Sequence, residues 1–256
     1  MALFGEVQNM NCLIVGANRG IGFGFVNQLL QNADVATVYA TYRDRASAVA
    51  LLALEQEYPD RLICLPMDTT DETQIAQGIS QIRDRSDRLH FVMNCVGMLH
   101  DEGVQPEKSL RHINTDQLLH YFQINSIGSV LLAKHLLPLL KHSDRSIFAS
   151  ISAKVGSIGD NQLGGWYGYR ASKAALNMLM RNVAIEYRRS SPQTIVVMLH
   201  PGTTDTRLSK PFQKNVPPEK LFSVERTVTQ LLKVLQSLTS DDSGQFFSWD
   251  GSRLPW

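Results

Sequence analysis

Tyr169 and Lys173 stand four residues apart in Tyr169-Arg170-Ala171-Ser172-Lys173. On a helix that spacing puts both side chains on one face, with an ammonium beside a phenol. A phenol of pKa about 10 exchanges protons poorly near neutrality, and a neighbouring cation stabilises its charged form. The pair is a candidate general acid and base. Towards the other end of the chain, Gly16-Ala17-Asn18-Arg19-Gly20-Ile21-Gly22 follows an apolar run directly and leads into a helical pattern. Glycines between a strand and a helix allow a tight turn and let a pyrophosphate reach the unpaired N–H groups of the helix N-terminus. Proton transfer beside a phosphate cradle is the chemistry these motifs would share.

The elements that must position them follow from the apolar pattern. Short apolar and β-branched runs recur at residues 12–15, 35–41, 62–66, 91–94, 146–152, 195–200 and 245–249, and read as seven strands. Segments with apolar residues three and four apart lie between most of them, such as Phe23, Val26, Leu29 and Leu30, then Met178, Val183, Ile185 and Tyr187. These read as helices. Strand alternating with helix implies parallel pairing, with crossover helices on both faces. The expected fold is a doubly wound α/β domain of Rossmann type over residues 1–256, with a seven-stranded parallel sheet. Ligands bind such sheets beyond the carboxyl ends of the strands. Residues 205–222, with Pro211, Pro217 and Pro218, follow the sixth strand and read as a mobile flap near the site.

Composition excludes several other roles. With 25 Lys+Arg against 24 Asp+Glu, the net charge of +1 gives no basic field of the kind nucleic acid requires. Cys12, Cys64 and Cys95 form an odd, scattered set that fits buried thiols in a reducing cytoplasm better than a secreted disulfide framework. The first ten residues, Glu6 among them, lack the basic and apolar regions of a signal peptide. No apolar run approaches the roughly 20 residues that span a bilayer. The histidines, His200 included, show no ligand spacing with Cys or carboxylates, so they read as structural or surface groups and no metal is expected.

The glycine spacing resembles the GxxxGxG of the short-chain dehydrogenase/reductase family, and further stretches are similar to that family in order along nearly the whole chain. The resemblance makes Gly16, Asn18, Arg19, Gly20, Ile21 and Gly22 the phosphate cradle. NAD-preferring members carry an acid at the end of the second strand, where this chain has Tyr42 followed by Arg43. Together with Arg19, that favours a 2′-phosphate and hence NADP(H) over NAD(H), since guanidinium is the natural partner of phosphate. Asp68 and Thr69 match the adenine side. Asn94-Cys95-Val96-Gly97 matches the segment beside the cofactor, and Pro201, Gly202, Thr204 and Thr206 match the segment that meets the nicotinamide carboxamide. Val15 and Cys95 replace a Thr and an Asn of the family, which implies an apolar contact in place of a polar tie.

By the same resemblance Tyr169 exchanges the proton, and Lys173 assists it and holds the nicotinamide ribose. Asn125 positions a water through its backbone in a proton relay to the lysine. A catalytic serine that bonds the substrate oxygen falls on Ser152 when the strand is aligned without a gap, and this register is preferred because a strand is stiffer than the loop after it. Counting back from Gly156 puts Ala153 there instead, and Ser150 is a further rival. Stretches such as Gly164-Gly165-Trp166-Tyr167-Gly168-Tyr169 and the ending Asp250-Gly251-Ser252-Arg253-Leu254-Pro255-Trp256 are similar to C-factor and sniffer-type carbonyl reductases. The implied activity is interconversion of a small ketone or aldehyde with its alcohol, and Leu99, Trp166, Tyr167 and Phe212 suggest an apolar pocket. The alternative is a nucleotide-bound signalling protein of C-factor type with little turnover. Relatives commonly form dimers or tetramers through helices near Val130 and Ala175.

Overall fold

The computed structural model describes residues 7–256; the segment Met1 to Glu6, on which part of the N-terminal reading rests, lies outside them. Six strands run from the N-terminal half through the middle of the chain: β1 (Met10–Val15), β2 (Val35–Tyr42), β3 (Leu62–Pro66), β4 (Phe91–Asn94), β5 (Ser146–Ile151) and β6 (Thr194–His200). Two short strands, β7 (Thr203–Thr204) and β8 (Leu221–Phe222), precede the last, β9 (Phe246–Ser248). The helices are α1 (Gly20–Leu30), α2 (Val49–Glu57), α3 (Glu72–Arg83), α4 (Thr115–Phe122), α5 (Gly128–Leu140), α6 (Tyr167–Ser190) and α7 (Val224–Ser237). A π-helical turn, Gln123–Ile127, joins α4 to α5.

Seven strands form one sheet in the order β3-β2-β1-β4-β5-β6-β9, and every pairing in it is parallel. Strands buried on both sides explain why the runs read as nearly continuous apolar stretches. The alternation is visible along β1. Met10, Cys12 and Ile14 enter one core with α1, α2 and α7, while Leu13 and Val15 enter the other with α3, α5 and α6. The chain leaves β1 outward to β2 and β3, then returns to β4 on β1's other side. That reversal opens a crevice at the carboxyl ends of β1 and β4.

Two details differ from the sequence reading. On α6, Val183 and Tyr187 face the core, but Met178 and Ile185 stand 63% and 44% exposed; four apolar residues at helical spacing here belong to two faces. The segment 205–222 is closed at its base by parallel pairing of β7 with β8, which short runs between prolines did not signal. Among the described residues, no helix is long and apolar enough to cross a membrane.

Phe148 sits fully buried in the middle of β5, between β4 and β6 and against the α3/α5/α6 core. Phe148→Ala should cost about 3–5 kcal/mol of unfolding free energy, because packed neighbours only partly fill the void; urea denaturation measures it.

Candidate active site

The glycine turn lies at the crevice. Gly16 and Gly20 take φ of +76° and +54°, a region that favours glycine. A Cβ on Gly22 would stand 2.2 Å from the Gly16 carbonyl oxygen, so α1 is pressed against its own entry turn. Thr41 ties this turn to β2: its hydroxyl accepts from the Gly16 N–H at 3.2 Å and its carbonyl from the Ala17 N–H at 2.8 Å. Sequence reasoning missed Thr41, whose only signal is a polar β-branched residue near a strand end. Asn18 Nδ2 donates to Ser47 Oγ at 3.0 Å. Ile21 packs half-buried against the core.

Arg19, at the start of α1, has its guanidinium pKa lowered by partial burial, then by Arg207 and Arg43, with Asp101 opposing. Three cations therefore converge at the cradle, and neither Arg19 nor Arg43 makes a salt bridge among the described residues. Tyr42 turns its side chain into the core. Asp68 Oδ1 accepts from the N–H and hydroxyl of Thr70 at 2.9 and 2.8 Å, and the buried Thr69 presses its backbone against Gly128.

Asn94 donates to Ser129 Oγ at 2.7 Å and accepts from the Val96 N–H at 3.1 Å. The methyl Cγ2 of Val96 would lie 2.9 Å from a Cβ on Gly16. Val15 and Cys95 share a backbone hydrogen bond of 2.9 Å, but their side chains enter opposite cores. The expected apolar contact between them is not formed, because the two side chains lie on opposite faces of the sheet. Burial pushes the Cys95 thiol well above its usual pKa.

Tyr169 and Lys173 both lie buried on α6. The Lys173 ammonium is 6.0 Å from the centre of the Tyr169 ring and donates to the Ile151 carbonyl at 2.9 Å. Burial lowers its pKa to about 8, since a charged form loses hydration. Burial, and secondarily Tyr121, raise the Tyr169 phenol above its usual range. In this structure burial, rather than the charge of Lys173, governs the phenol. Gly97 meets the pair: a Cβ there would be 3.3 Å from Lys173 Nζ and 3.5 Å from Asn125 Oδ1. Asn125 sits in the π turn, accepts from the Met98 N–H at 2.7 Å, and donates to the Met98 carbonyl at 2.9 Å and Ser172 Oγ at 3.0 Å. Such turns recur at functional sites.

Ser152 does not join this group. Its buried hydroxyl donates to Asn177 Oδ1, two helical turns beyond Tyr169, at 2.7 Å. The residue that packs against the cluster containing Tyr169, Met98, Leu99, Tyr121 and Ile124 is Ala153. Ser150, the other rival, is buried with its hydroxyl unpartnered among the described residues. Leu99, Trp166 and Phe212 line the same apolar cluster, as expected from sequence. Tyr167 does not; it stands 37% exposed at the start of α6.

Beyond β6, Pro201 is buried and Gly202, at φ +73°, backs onto the Phe222 ring. The Thr204 hydroxyl pairs with Thr227 at 2.8 Å. Thr206 brings its methyl to 3.3 Å from a Cβ on Gly20, linking this segment to the cradle. Phe212, within 205–222, packs on Trp166 with ring centres 4.9 Å apart. Glu107, a lone acid in a polar loop that sequence reading passed over, is buried and accepts from the Gly168 N–H at 3.1 Å through its carboxylate. Its carbonyl accepts from the Trp166 N–H at 2.5 Å.

A parallel sheet with a glycine cradle at its topological switch point defines a dinucleotide-binding α/β protein. The chain belongs to the short-chain dehydrogenase family, whose pattern matches residues 10–217. It is 29% identical to a benzil reductase ((S)-benzoin forming) of Saccharomyces cerevisiae, over 94% of this chain and 96% of that protein. It is 30% identical to the C-signal of Myxococcus xanthus, over 58% of this chain and 84% of that protein. The NADPH-bound carbonyl reductase from chicken fatty liver superposes with a TM-score of 0.86 at 30% identity, covering 97% of this chain and 99% of that one. The chain is thus an oxidoreductase of a family that uses nicotinamide cofactors.

His200, the last residue of β6, has its pKa lowered to about 4, first by burial and then by Lys154, with Asp250 opposing. Its Nδ1 is buried without a partner among the described residues. A histidine that binds its proton less readily folded than unfolded contributes stability above the unfolded pKa, about 6.5, and that stability is lost as pH falls. Between pH 6.5 and 4 the His200 contribution should fall by about 3 kcal/mol. Urea unfolding of the wild type and His200→Gln across that range should show a smaller pH slope in the variant.

Proposed function

We propose that this protein is an NADP(H)-dependent carbonyl reductase acting on small apolar ketones or aldehydes, or on the alcohols in reverse. The observation that carries the reading is the buried Tyr169–Lys173 pair meeting Gly97 inside an apolar wall, beside a cradle that a Cβ would fill. The residues present fit a phosphorylated dinucleotide. Its pyrophosphate would lie at Gly16, Asn18, Gly20, Ile21 and Gly22, its 2′-phosphate at Arg19 and Arg43 next to Tyr42, and its adenine near Asp68 and Thr69. Asn94, Cys95, Val96 and Gly97 would border its middle, and Pro201, Gly202, Thr204 and Thr206 its carboxamide. Two of the converging guanidiniums, Arg19 and Arg43, make no salt bridge among the described residues, which supports the phosphorylated form, because cations held close together favour an anion between them.

When bound, the nicotinamide supplies a hydride to the carbonyl carbon and leaves oxidised, the carbonyl oxygen taking a proton to give the alcohol. Tyr169 donates that proton. Lys173 would hold the ribose hydroxyls with the N–H groups not given to Ile151 and would keep positive charge near the phenolate as it forms. Asn125 fixes the backbone through which a water returns the proton by way of Lys173. The apolar cluster around Tyr169 excludes bulk water and accepts apolar substrate, with residues 205–222 as the flap over it.

The chain acts as one cofactor-binding domain in the cytoplasm in this reading, where its three free thiols stay reduced. It assembles as a homodimer or homotetramer through α5 and α6, where Met178 and Ile185 are exposed. The similarity to C-signal favours one second reading, a dinucleotide-bound signalling protein. Tight NADPH binding with no turnover across a carbonyl panel would select it.

Tyr169→Phe should lower kcat at least about a hundredfold, the usual scale of a general acid, while NADPH titration by fluorescence stays near wild type. Retained turnover would remove the mechanism. Arg43→Ala should weaken NADPH about tenfold or more, the scale of a lost charge-assisted contact, with NADH nearly unaffected. Equal losses for the two nucleotides would remove the 2′-phosphate assignment.

A further inference from the structure

Reduction of a carbonyl gathers negative charge on its oxygen, and the transition state gains most from donors already aimed at that atom. Tyr169 is one such donor, and its hydroxyl makes no hydrogen bond to any described residue. The other polar groups nearby are committed. Tyr121 donates to the Leu99 carbonyl at 2.6 Å, Lys173 to Ile151, and Ser172 to the Tyr169 carbonyl at 2.9 Å.

The end of β5 decides the rest. Ala153 is extended, with φ −149° and ψ 142°, and in extended chain successive side chains point to opposite sides. Ser152 is turned to Asn177 on α6, so Ala153 is the residue presented to the Tyr169 cluster. The position able to supply a second donor carries a methyl group.

We infer that Ala153 leaves the reacting oxygen with Tyr169 as its single donor and thereby restricts the enzyme to carbonyls made electrophilic by an electron-withdrawing neighbour. A carbonyl of that kind accepts hydride through an earlier transition state, with less charge on oxygen, and loses less when a donor is absent. An electron-rich ketone needs the missing hydrogen bond most. Ala153 is then a specificity-determining residue, and Ser152 positions α6 against β5 without touching substrate. This inference rests on the carbonyl-reductase reading above.

The test is kcat/KM with NADPH for 4-nitro- and 4-methoxyacetophenone on wild type, Ala153→Ser, Ser152→Ala and Tyr169→Phe, each checked for fold by circular dichroism. Wild type should favour the nitro ketone. Ala153→Ser should raise the methoxy ketone by about tenfold or more and the nitro ketone by less than about threefold, the scale of one added oxyanion donor felt unequally. Ser152→Ala should change the ratio of the two substrates by less than about twofold, since its bond to Asn177 bears on helix position rather than on oxygen charge. A gain in Ala153→Ser that is larger for the methoxy ketone, over a wild type that turns over the nitro ketone, supports the inference; a wild type inactive on both ketones overturns it. Equal gains for both ketones, no gain, or no turnover by either protein overturns it, as does a selective loss of the methoxy ketone in Ser152→Ala, which would return the donor role to Ser152. If Tyr169→Phe keeps wild-type turnover, the carbonyl-reductase mechanism itself fails, a different result from any of these.

Discussion

A buried ammonium sets the terms for this site. Lys173 is 2% exposed and has one hydrogen bond within the described chain, to the Ile151 carbonyl. Burying a charge costs several kcal/mol unless hydrogen bonds replace water, so α6 and the end of β5 are held in the register that provides this one. A Cβ on Gly97 would crowd the same ammonium at 3.3 Å, and Asn125 closes the arrangement from the π turn. The low pKa of the amine and the raised pKa of the phenol are two results of one cause, exclusion of water from the start of α6.

The long-range placement of charge is equally local. A net charge of +1 conceals a cluster in which Arg207 and Arg43 add to burial in lowering the basicity of Arg19. Arg207 reaches this cluster from the segment after β7, so the same residues that cover the apolar wall also add to the cationic face of the cradle. Arg207 lies 3.6 Å from Asp101, and the His100 ring nitrogen contacts the Arg207 carbonyl at 3.1 Å. Cofactor side and substrate side are in this way joined through one short stretch.

Much of this was legible in the sequence where the physics is local. Parallel strands buried on both faces read as unbroken apolar runs, and the seven of them appear within a few residues of where they were expected. Gly16 and Gly20 advertise positive φ, and Tyr169 and Lys173 share a helix face by spacing alone. What could not be read depends on where an element stops or on partners far away in the chain. The direction of Ser152 turns on strand parity: a shift of one residue at the end of β5 exchanges Ser152 for Ala153 at the site. Thr41 and Glu107 act on residues 25 and 61 positions distant, and no short-range pattern marks such pairs. Tyr167 and Trp166 are adjacent and both aromatic, yet only Trp166, the last residue of a left-handed turn, packs inward, while Tyr167 begins the helix.

That turn joins three consecutive residues at positive φ, Gly164, Gly165 and Trp166 at +64°, +66° and +50°. A left-handed residue with a side chain costs about 1–2 kcal/mol, and Trp166 bears that cost at the N-cap of α6. The Glu107 carbonyl and the rings of Tyr169 and Phe212 oppose it. Because Phe212 belongs to the segment between β7 and β8, the segment's docking and the helix start share one free-energy balance. Whatever lifts Phe212 from Trp166 loosens the first turn beneath Tyr169, and whatever seats a molecule against Trp166 tightens both. The Phe212–Trp166 contact thus ties the packing of the 205–222 segment to the first turn of α6, on which Tyr169 stands.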